Sequence, residues 1–211
     1  MPDPVLFGAA YSVYVRAARL ALAEKGVPYR LEEVDVFGGP AADYVRRHPF
    51  GRIPAFEHDG FRLYETAAIT RYVDEAFPGP PLQPETPRAR ARMNQVISIL
   101  DSYAYRTLVW DIFVERVRAP ILGRSTDEAR IAAALPKAAT CLQALADLRG
   151  PGPWLAGPTL TLADLQAAPL FAYFRLAPEA ADLLSRHPGL AQWWSAMFAR
   201  PTLAQTRSPL E

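Results

Sequence analysis

The chain has 211 residues, half of them hydrophobic, and its 23 basic residues nearly balance 22 acidic ones. This supplies enough apolar surface for one large core or two smaller ones. The balanced charge argues against a nucleic acid or a membrane surface as a partner, and no apolar run approaches the roughly 20 residues of a membrane span. The single cysteine excludes an internal disulfide, and the first residues lack a signal-peptide pattern. We therefore expect a cytoplasmic protein.

The first 78 residues predict a small α/β domain. A strand at 5–7, a helix from Ser12 (N-cap) to Gly26 (C-cap) and a strand at 29–36 form a parallel crossover unit. After a short helix, Asp59-Gly60 between two short apolar segments predicts a β-hairpin. A last helix runs from Glu65-Thr66 to Phe77. The predicted order is strand, helix, strand, helix, strand, strand, helix.

A proline-rich segment separates this domain from the rest of the chain. Five prolines fall in the ten positions from Pro78 to Pro87, which predicts an extended linker over 79–88. Beyond it only helical patterns appear, so residues 89–211 are predicted to form an all-helical domain. Pro136 is expected to kink one of its helices, and Pro201 is expected to close the last.

Three segments of the first domain could bind a ligand. Ser12 is either an ordinary N-cap or a hydroxyl directed at an anion, including a thiolate, at the helix start. Ile53-Pro54 is either a plain strand start or a cis-proline that exposes the preceding backbone, and the sequence leaves the isomer open. Glu65-Thr66 is either a first-turn acid and cap, or a pair that binds the amine and the carboxylate of one α-amino acid.

Together these segments resemble the cytosolic glutathione transferase family, in particular a serine-type (phi/theta/zeta-like), bacterial-type member. The resemblance covers nearly the whole chain and implies a thioredoxin-like N-terminal domain followed by an all-α helical bundle. The segments that carry it are Tyr11–Arg16 with Leu20–Tyr29, Pro49–Phe56, Tyr64–Ile69, and Trp154–Gly157 with Thr161–Asp164.

The resemblance implies an enzyme that activates glutathione as a thiolate and conjugates it to an apolar electrophile. Glutathione would be a co-substrate, no metal is expected, and the protein would be a homodimer. Two alternatives stay open, namely a glutathione-dependent isomerase or dehalogenase on the same fold, and a non-catalytic interaction module.

The resemblance also assigns roles to individual residues. Ser12 would hydrogen-bond the glutathione sulfur, with Tyr11 and Tyr14 as alternative thiol-activating groups. The glutathione-binding residues would be Arg52 near the ligand, Ile53 pairing its backbone with the cysteinyl unit, cis-Pro54, and Glu65 and Thr66 at the γ-glutamyl end. Serine-type relatives often carry His and Lys where this chain has Gly39 and Pro40, so the glycine carboxylate lacks its usual partners. Arg52 or Arg16 are candidate substitutes.

The predicted helical domain contains few groups suited to catalysis, and its expected contribution is an apolar surface. Its aromatic residues either pack in the core or form an apolar wall for the electrophile. The candidates for this wall are Tyr103, Trp110, Phe113 and Tyr173. Thr161 and Asp164 fit a structural capping box, and Cys141 fits a buried small hydrophobic residue.

Overall fold

The fold is that of a computed structural model, which describes residues 3–211. Met1 and Pro2 lie outside the described residues. Both belong to the predicted first domain and to the N-terminal segment that lacks a signal-peptide pattern. The chain divides into two compact units. One comprises Met1–Gln83 and Pro201–Leu210, and the other comprises Pro84–Arg200 and Glu211.

The first unit is an α/β domain with a four-stranded sheet, which confirms the predicted thioredoxin-like class. The strand order is β2-β1-β3-β4, with β1 parallel to β2 and antiparallel to β3. Its elements are β1 (Val5–Phe7), α1 (Val13–Glu24), β2 (Arg30–Glu32), α2 (Ala42–Val45), β3 (Ala55–His58), β4 (Phe61–Tyr64) and α3 (Thr66–Ala76). The second strand is shorter than predicted because Glu32 already pairs with Phe7, the last residue of β1.

The β3–β4 hairpin turns at Asp59-Gly60, as predicted. Both residues have positive φ, 50° and 77°, which is the requirement of a two-residue type I′ turn. The pairing then runs from His58 opposite Phe61 to Ala55 opposite Tyr64.

Residues 201–210 belong to the first unit, whereas the sequence analysis placed them in the helical domain. Pro201 begins helix α10 (Pro201–Gln205), since proline suits the first position of a helix. Arg16 of α1 donates from Nη2 to the Leu203 carbonyl at 3.0 Å. Arg16 is 2% exposed, so this basic residue of α1 is buried against the C-terminal segment of the same unit.

Lys25 is also buried. It donates hydrogen bonds to backbone carbonyls in the first part of the predicted linker, which therefore packs within the first unit. Its Nζ lies 3.4 Å from the Gly79 carbonyl oxygen and 3.1 Å from that of Pro80. The unit consequently extends to Gln83, and the next helix already begins at Pro87.

The second unit is helical. Helix α4 continues without a break through a π-helical segment into α5, so one long helix runs from Pro87 to Ile121. The elements are α4 (Pro87–Ile99), the π-helical segment (Leu100–Arg118), α5 (Ala119–Ile121), α6 (Glu128–Arg149), α7 (Leu162–Phe174), α8 (Glu179–Ser185) and α9 (Pro188–Phe198). Within residues 3–211, α6 is the one helix long and apolar enough to cross a membrane by length and composition. Its Leu142 and Leu145 are wholly buried in the unit's core.

The predicted capping box of Thr161 and Asp164 is present, and Asp164 also bonds residues outside it. Its carboxylate accepts hydrogen bonds from the backbone N–H groups of Leu155 and Thr161, the Thr161 hydroxyl and the Trp193 indole, at 2.8–2.9 Å. These bonds join the loop before α7 to α7 and α9.

Candidate functional site

The register of the sheet brings the three candidate segments to one edge. Ala55, the first residue of β3, pairs with Phe7 at the end of β1 and with Tyr64 at the end of β4. The loop that leads to Ser12, the Ile53-Pro54 dipeptide and Glu65 therefore all leave the sheet at the same end. This convergence depends on strand pairing between residues about 50 positions apart, which the sequence alone does not show.

Ser12 is the N-cap of α1. Its backbone is extended, with φ −75° and ψ 129°, and its Oγ accepts a hydrogen bond from the Val15 N–H at 3.4 Å. This is a long cap bond. Within residues 3–211 the hydroxyl accepts this one bond and donates none, so its hydrogen is available to an acceptor at the helix start.

The two neighbouring tyrosines differ in placement. The Tyr11 ring stacks on Phe37 with centroids 5.6 Å apart, and its hydroxyl lies 3.5 Å from an oxygen of Asp35. Burial, and then the nearby Asp35 carboxylate, raise the pKa of Tyr11. A phenol directed at a carboxylate is less available to stabilise a second anion, which favours Ser12 over Tyr11. Tyr14 is half-buried within α1.

The Ile53–Pro54 peptide bond is cis, which resolves the isomer that the sequence left open. Pro54 is buried and Ile53 is half-buried. Gly8 packs against this dipeptide, because a Cβ built on Gly8 would lie 3.3 Å from the Ile53 Cβ. The end of β1 and the cis-proline loop are thus in direct contact.

Glu65 and Thr66 form the turn from β4 into α3. Glu65 has φ 71° and ψ 116°, a conformation that residues other than glycine rarely adopt and that clusters at ligand-binding sites. Its side chain is exposed, whereas Thr66 is 6% exposed. The carboxylate of Glu65 is therefore accessible beside the N–H groups that begin α3.

The two arginines considered as partners for the glycine carboxylate of glutathione, Arg16 and Arg52, differ in their exposure. Arg16 is buried and bound to the Leu203 carbonyl, so its guanidinium faces the C-terminal segment. Arg52 is exposed. The Pro40 ring borders the same loop, since a Cβ on Gly51 would lie 2.9 Å from the Pro40 Cγ.

Two further residues support the loop, Tyr44 and His48, and neither was among those predicted from the sequence. The Tyr44 hydroxyl donates to the Arg52 carbonyl at 2.6 Å. The His48 ring is 2% exposed and lies 4.9 Å, centroid to centroid, from that of Tyr64. Burial lowers the pKa of His48, opposed by the Glu65 charge. For His48, the signal available in the sequence was a polar aromatic residue directly before the Pro49-Phe50-Gly51 segment of the loop.

The aromatic residues predicted to form an electrophile wall fall into two groups. Phe113 and Tyr173 are 1% and 4% exposed, and their rings stack with centroids 4.5 Å apart. Their contacts are those of core residues, the alternative that the sequence left open. Tyr103 is exposed and Trp110 half-buried. None of the four lines either of the two grooves formed beside α6.

Comparisons with known proteins match both units. Residues 6–81 match the family model "Glutathione S-transferase, N-terminal domain", and residues 128–193 match "Glutathione S-transferase, C-terminal domain". Glutathione S-transferase 4 of Zea mays is 30% identical over 209 residues, covering 95% of this chain and 90% of the relative.

Solved structures agree over the whole chain. A glutathione S-transferase III in its apo form is 27% identical with a TM-score of 0.87, covering 100% of this chain and 99% of that one. Glutathione S-transferase I from maize, in complex with an atrazine glutathione conjugate, is 25% identical with a TM-score of 0.86, covering 97% and 96%.

Proposed function

The chain belongs to the glutathione S-transferase family and is a glutathione transferase, and we propose that Ser12 activates the glutathione thiol in a site completed by Ile53-Pro54 and Glu65-Thr66. The reaction joins the glutathione sulfur to an electrophile. The observation that carries the proposed site is the convergence of these three segments at one edge of the sheet.

The free energy available at Ser12 is sufficient for this role. A free thiol has a pKa of about 8.5, so only a few per cent is ionised at pH 7. Lowering that pKa by roughly two units requires about 2.7 kcal/mol. A hydrogen bond to a charged group contributes about 1.5–3 kcal/mol, and the start of a helix adds about 0.3–2 kcal/mol. Ser12 therefore need not act as a base, because donating one hydrogen bond to the thiolate suffices.

The rest of the ligand follows the same edge. The backbone of Ile53, next to cis-Pro54, pairs with the cysteinyl unit. Glu65 binds the γ-glutamyl amine, while Thr66 and the N–H groups of α3 bind the γ-glutamyl carboxylate. Arg52 is the cation for the glycine carboxylate, a role supported by its exposure and by its place in the loop that Pro40 borders.

Three finer assignments extend this proposal. The helical unit supplies an apolar electrophile wall that includes Tyr103 and Trp110, so residues 89–200 determine electrophile choice. The chain is a serine-type (phi/theta/zeta-like) member, supported by Ser12 at the start of α1, and its bacterial-type character rests on the same resemblance. It acts in the cytoplasm without a metal.

A homodimer completes the proposal. Phe50 is 70% exposed and its ring packs edge-on against Tyr64, with centroids 6.2 Å apart. The two rings offer apolar surface to a partner, and a second copy of the chain is the proposed occupant. Light scattering after gel filtration tests this: Phe50→Ala is expected to yield monomers, whereas Phe198→Ala, which removes an equally exposed ring from α9, is not. A wild-type monomer would exclude the dimer.

The thiol role is tested by titrating bound glutathione through its thiolate absorbance. Ser12→Ala is expected to raise the pKa of the bound thiol by about 1–2 units, the share of one charge-assisted hydrogen bond. Ser12→Thr, which keeps both hydroxyl and cap, is the matched control and should stay near wild type. Tyr11→Phe and Tyr14→Phe are assayed alongside. An unchanged thiol pKa in Ser12→Ala, with a shift in either tyrosine variant, would transfer the role to that phenol.

A further inference from the structure

Tyr44 lies beneath the cis-proline loop and is joined to it by a short hydrogen bond. Its ring is 5% exposed. Its hydroxyl donates to the Arg52 carbonyl oxygen at 2.6 Å, at the short end of the range for such bonds. The Tyr44 carbonyl in turn accepts from the N–H groups of Arg47 and His48, at 2.8 and 3.1 Å. The phenol is therefore held in place by the segment that leads into the loop.

The Arg52 carbonyl belongs to the same peptide group as the Ile53 N–H. A peptide group is planar and trans here, so its C=O and N–H point in opposite directions. A bond that fixes the carbonyl consequently fixes the direction of the Ile53 N–H. Because hydrogen bonds in a chain polarise one another, a donor on the carbonyl also strengthens the N–H as a donor.

We propose that Tyr44 is a positioning residue for glutathione, which orients and polarises the Arg52–Ile53 peptide group so that its N–H donates to the cysteinyl carbonyl. This role rests on the proposed glutathione site, in which Ile53 pairs with the cysteinyl unit. An N–H can only donate, and the cysteinyl unit's acceptor is its carbonyl oxygen. Tyr44 acts on binding through Ile53 and does not touch the ligand.

The protonation state of Tyr44 suits this role. Burial raises its pKa to about 12, so the hydroxyl keeps its hydrogen throughout the pH range in which a bound thiol titrates. The bond to the Arg52 carbonyl is consequently constant with pH. Tyr44 therefore affects the affinity for glutathione and leaves the ionisation of the thiol to other groups.

The first test is Tyr44→Phe, which keeps the buried ring and removes only the hydroxyl. We expect KM and Kd for glutathione to rise about two- to tenfold, the effect of one net hydrogen bond. The kcat at saturating glutathione and the pKa of the bound thiol should stay unchanged. Tyr72→Phe is the matched control, because it removes a hydroxyl that bonds His58 Nδ1 at 2.9 Å, away from this loop.

A second measurement separates positioning from a merely structural role. A glutathione analogue with an ester in place of the cysteinyl–glycine amide has a weaker acceptor at the cysteinyl carbonyl. If Tyr44 acts through the Ile53 N–H, the ester should lose less affinity with Tyr44→Phe than with wild type, whereas the loss with Tyr72→Phe should equal that of wild type. Equal losses in all three proteins would overturn the proposal.

The remaining outcomes are also decisive. Wild-type KM and Kd in Tyr44→Phe would overturn the role of Tyr44 while leaving the glutathione site intact. A fall in kcat or a shifted thiol pKa without a change in Kd would overturn it as well. A wild-type chain that binds no glutathione would instead overturn the proposed function on which the role depends.

Discussion

The buried ion pair between Lys25 and Asp74 gives a quantitative prediction for stability. The Lys25 Nζ lies 3.1 Å from Asp74 Oδ1 and 3.0 Å from the Asp74 carbonyl oxygen. The two side chains are 3% and 6% exposed. Asp74 Oδ1 also accepts from the Leu82 N–H at 2.8 Å, and Gln83 donates to Oδ2 at 3.2 Å. Lys25 therefore neutralises a carboxylate that is almost fully shielded from water.

Lys25→Met keeps the apolar stem and removes the charge. Breaking one partner of a buried pair costs about 3–5 kcal/mol, because the other charge stays buried and uncompensated. A total stability of about 5–15 kcal/mol is usual, so the variant should lose a large part of its free energy of unfolding. In Lys25→Met/Asp74→Asn the buried charge disappears and the amide oxygen can still accept from Leu82. We expect this double variant to be more stable than Lys25→Met.

Urea unfolding followed by circular dichroism measures these differences. The matched control is Lys137→Met, which removes a lysine from an exposed position on α6 and should change the free energy of unfolding by less than about 0.5 kcal/mol. A Lys25→Met variant as stable as this control would refute the reasoning. So would a double variant no more stable than Lys25→Met, since the uncompensated carboxylate would then not be the source of the loss.

Three further predictions concern single side chains. Burial lowers the pKa of His48 in the folded protein, so as the pH falls below about 6.5 the unfolded chain binds a proton at this residue more readily than the folded chain does. The free energy of unfolding should therefore decrease as the pH falls. In His48→Asn the melting temperature should depend less on pH on the acid side, and a profile equal to that of wild type would contradict this. Glu65→Gln should raise the KM for glutathione roughly tenfold or more, because a hydrogen bond to a charged amine is worth about 1.5–3 kcal/mol, and a KM equal to wild type would remove Glu65 from the site. Burial also raises the pKa of the Cys141 thiol, so a chromogenic disulfide should label the chain only after denaturation, and rapid labelling of the folded protein would show that Cys141 is accessible.

Local signals sufficed wherever the interacting residues are close in sequence. The Ser12 cap bonds Val15, the Asp59-Gly60 turn joins adjacent strands, and Asp164 bonds Thr161. Each depends on residues at most a few positions apart, so residue type and spacing carry the information. The resemblance added the family and the site residues, because several such short motifs occur in a fixed order along the chain.

The tertiary structure decided what depends on distant partners. Arg16 and Lys25 are basic residues in and at the end of α1, and their partners explain why both are buried: the Leu203 carbonyl for Arg16, and the Asp74 carboxylate with the Gly79 and Pro80 carbonyls for Lys25. The Tyr44 bond to Arg52 is equally invisible in a sequence, because it depends on how a short helix lies against a loop.

The same division holds for the candidate site as a whole. The sequence by itself determined which residues can activate a thiol and bind the ends of a small peptide, since that follows from their donors, acceptors and charges. Only the folded sheet decided that Ser12, Ile53 and Glu65 share one edge, because the pairing of Ala55 with Phe7 joins the hairpin to a strand far away along the chain.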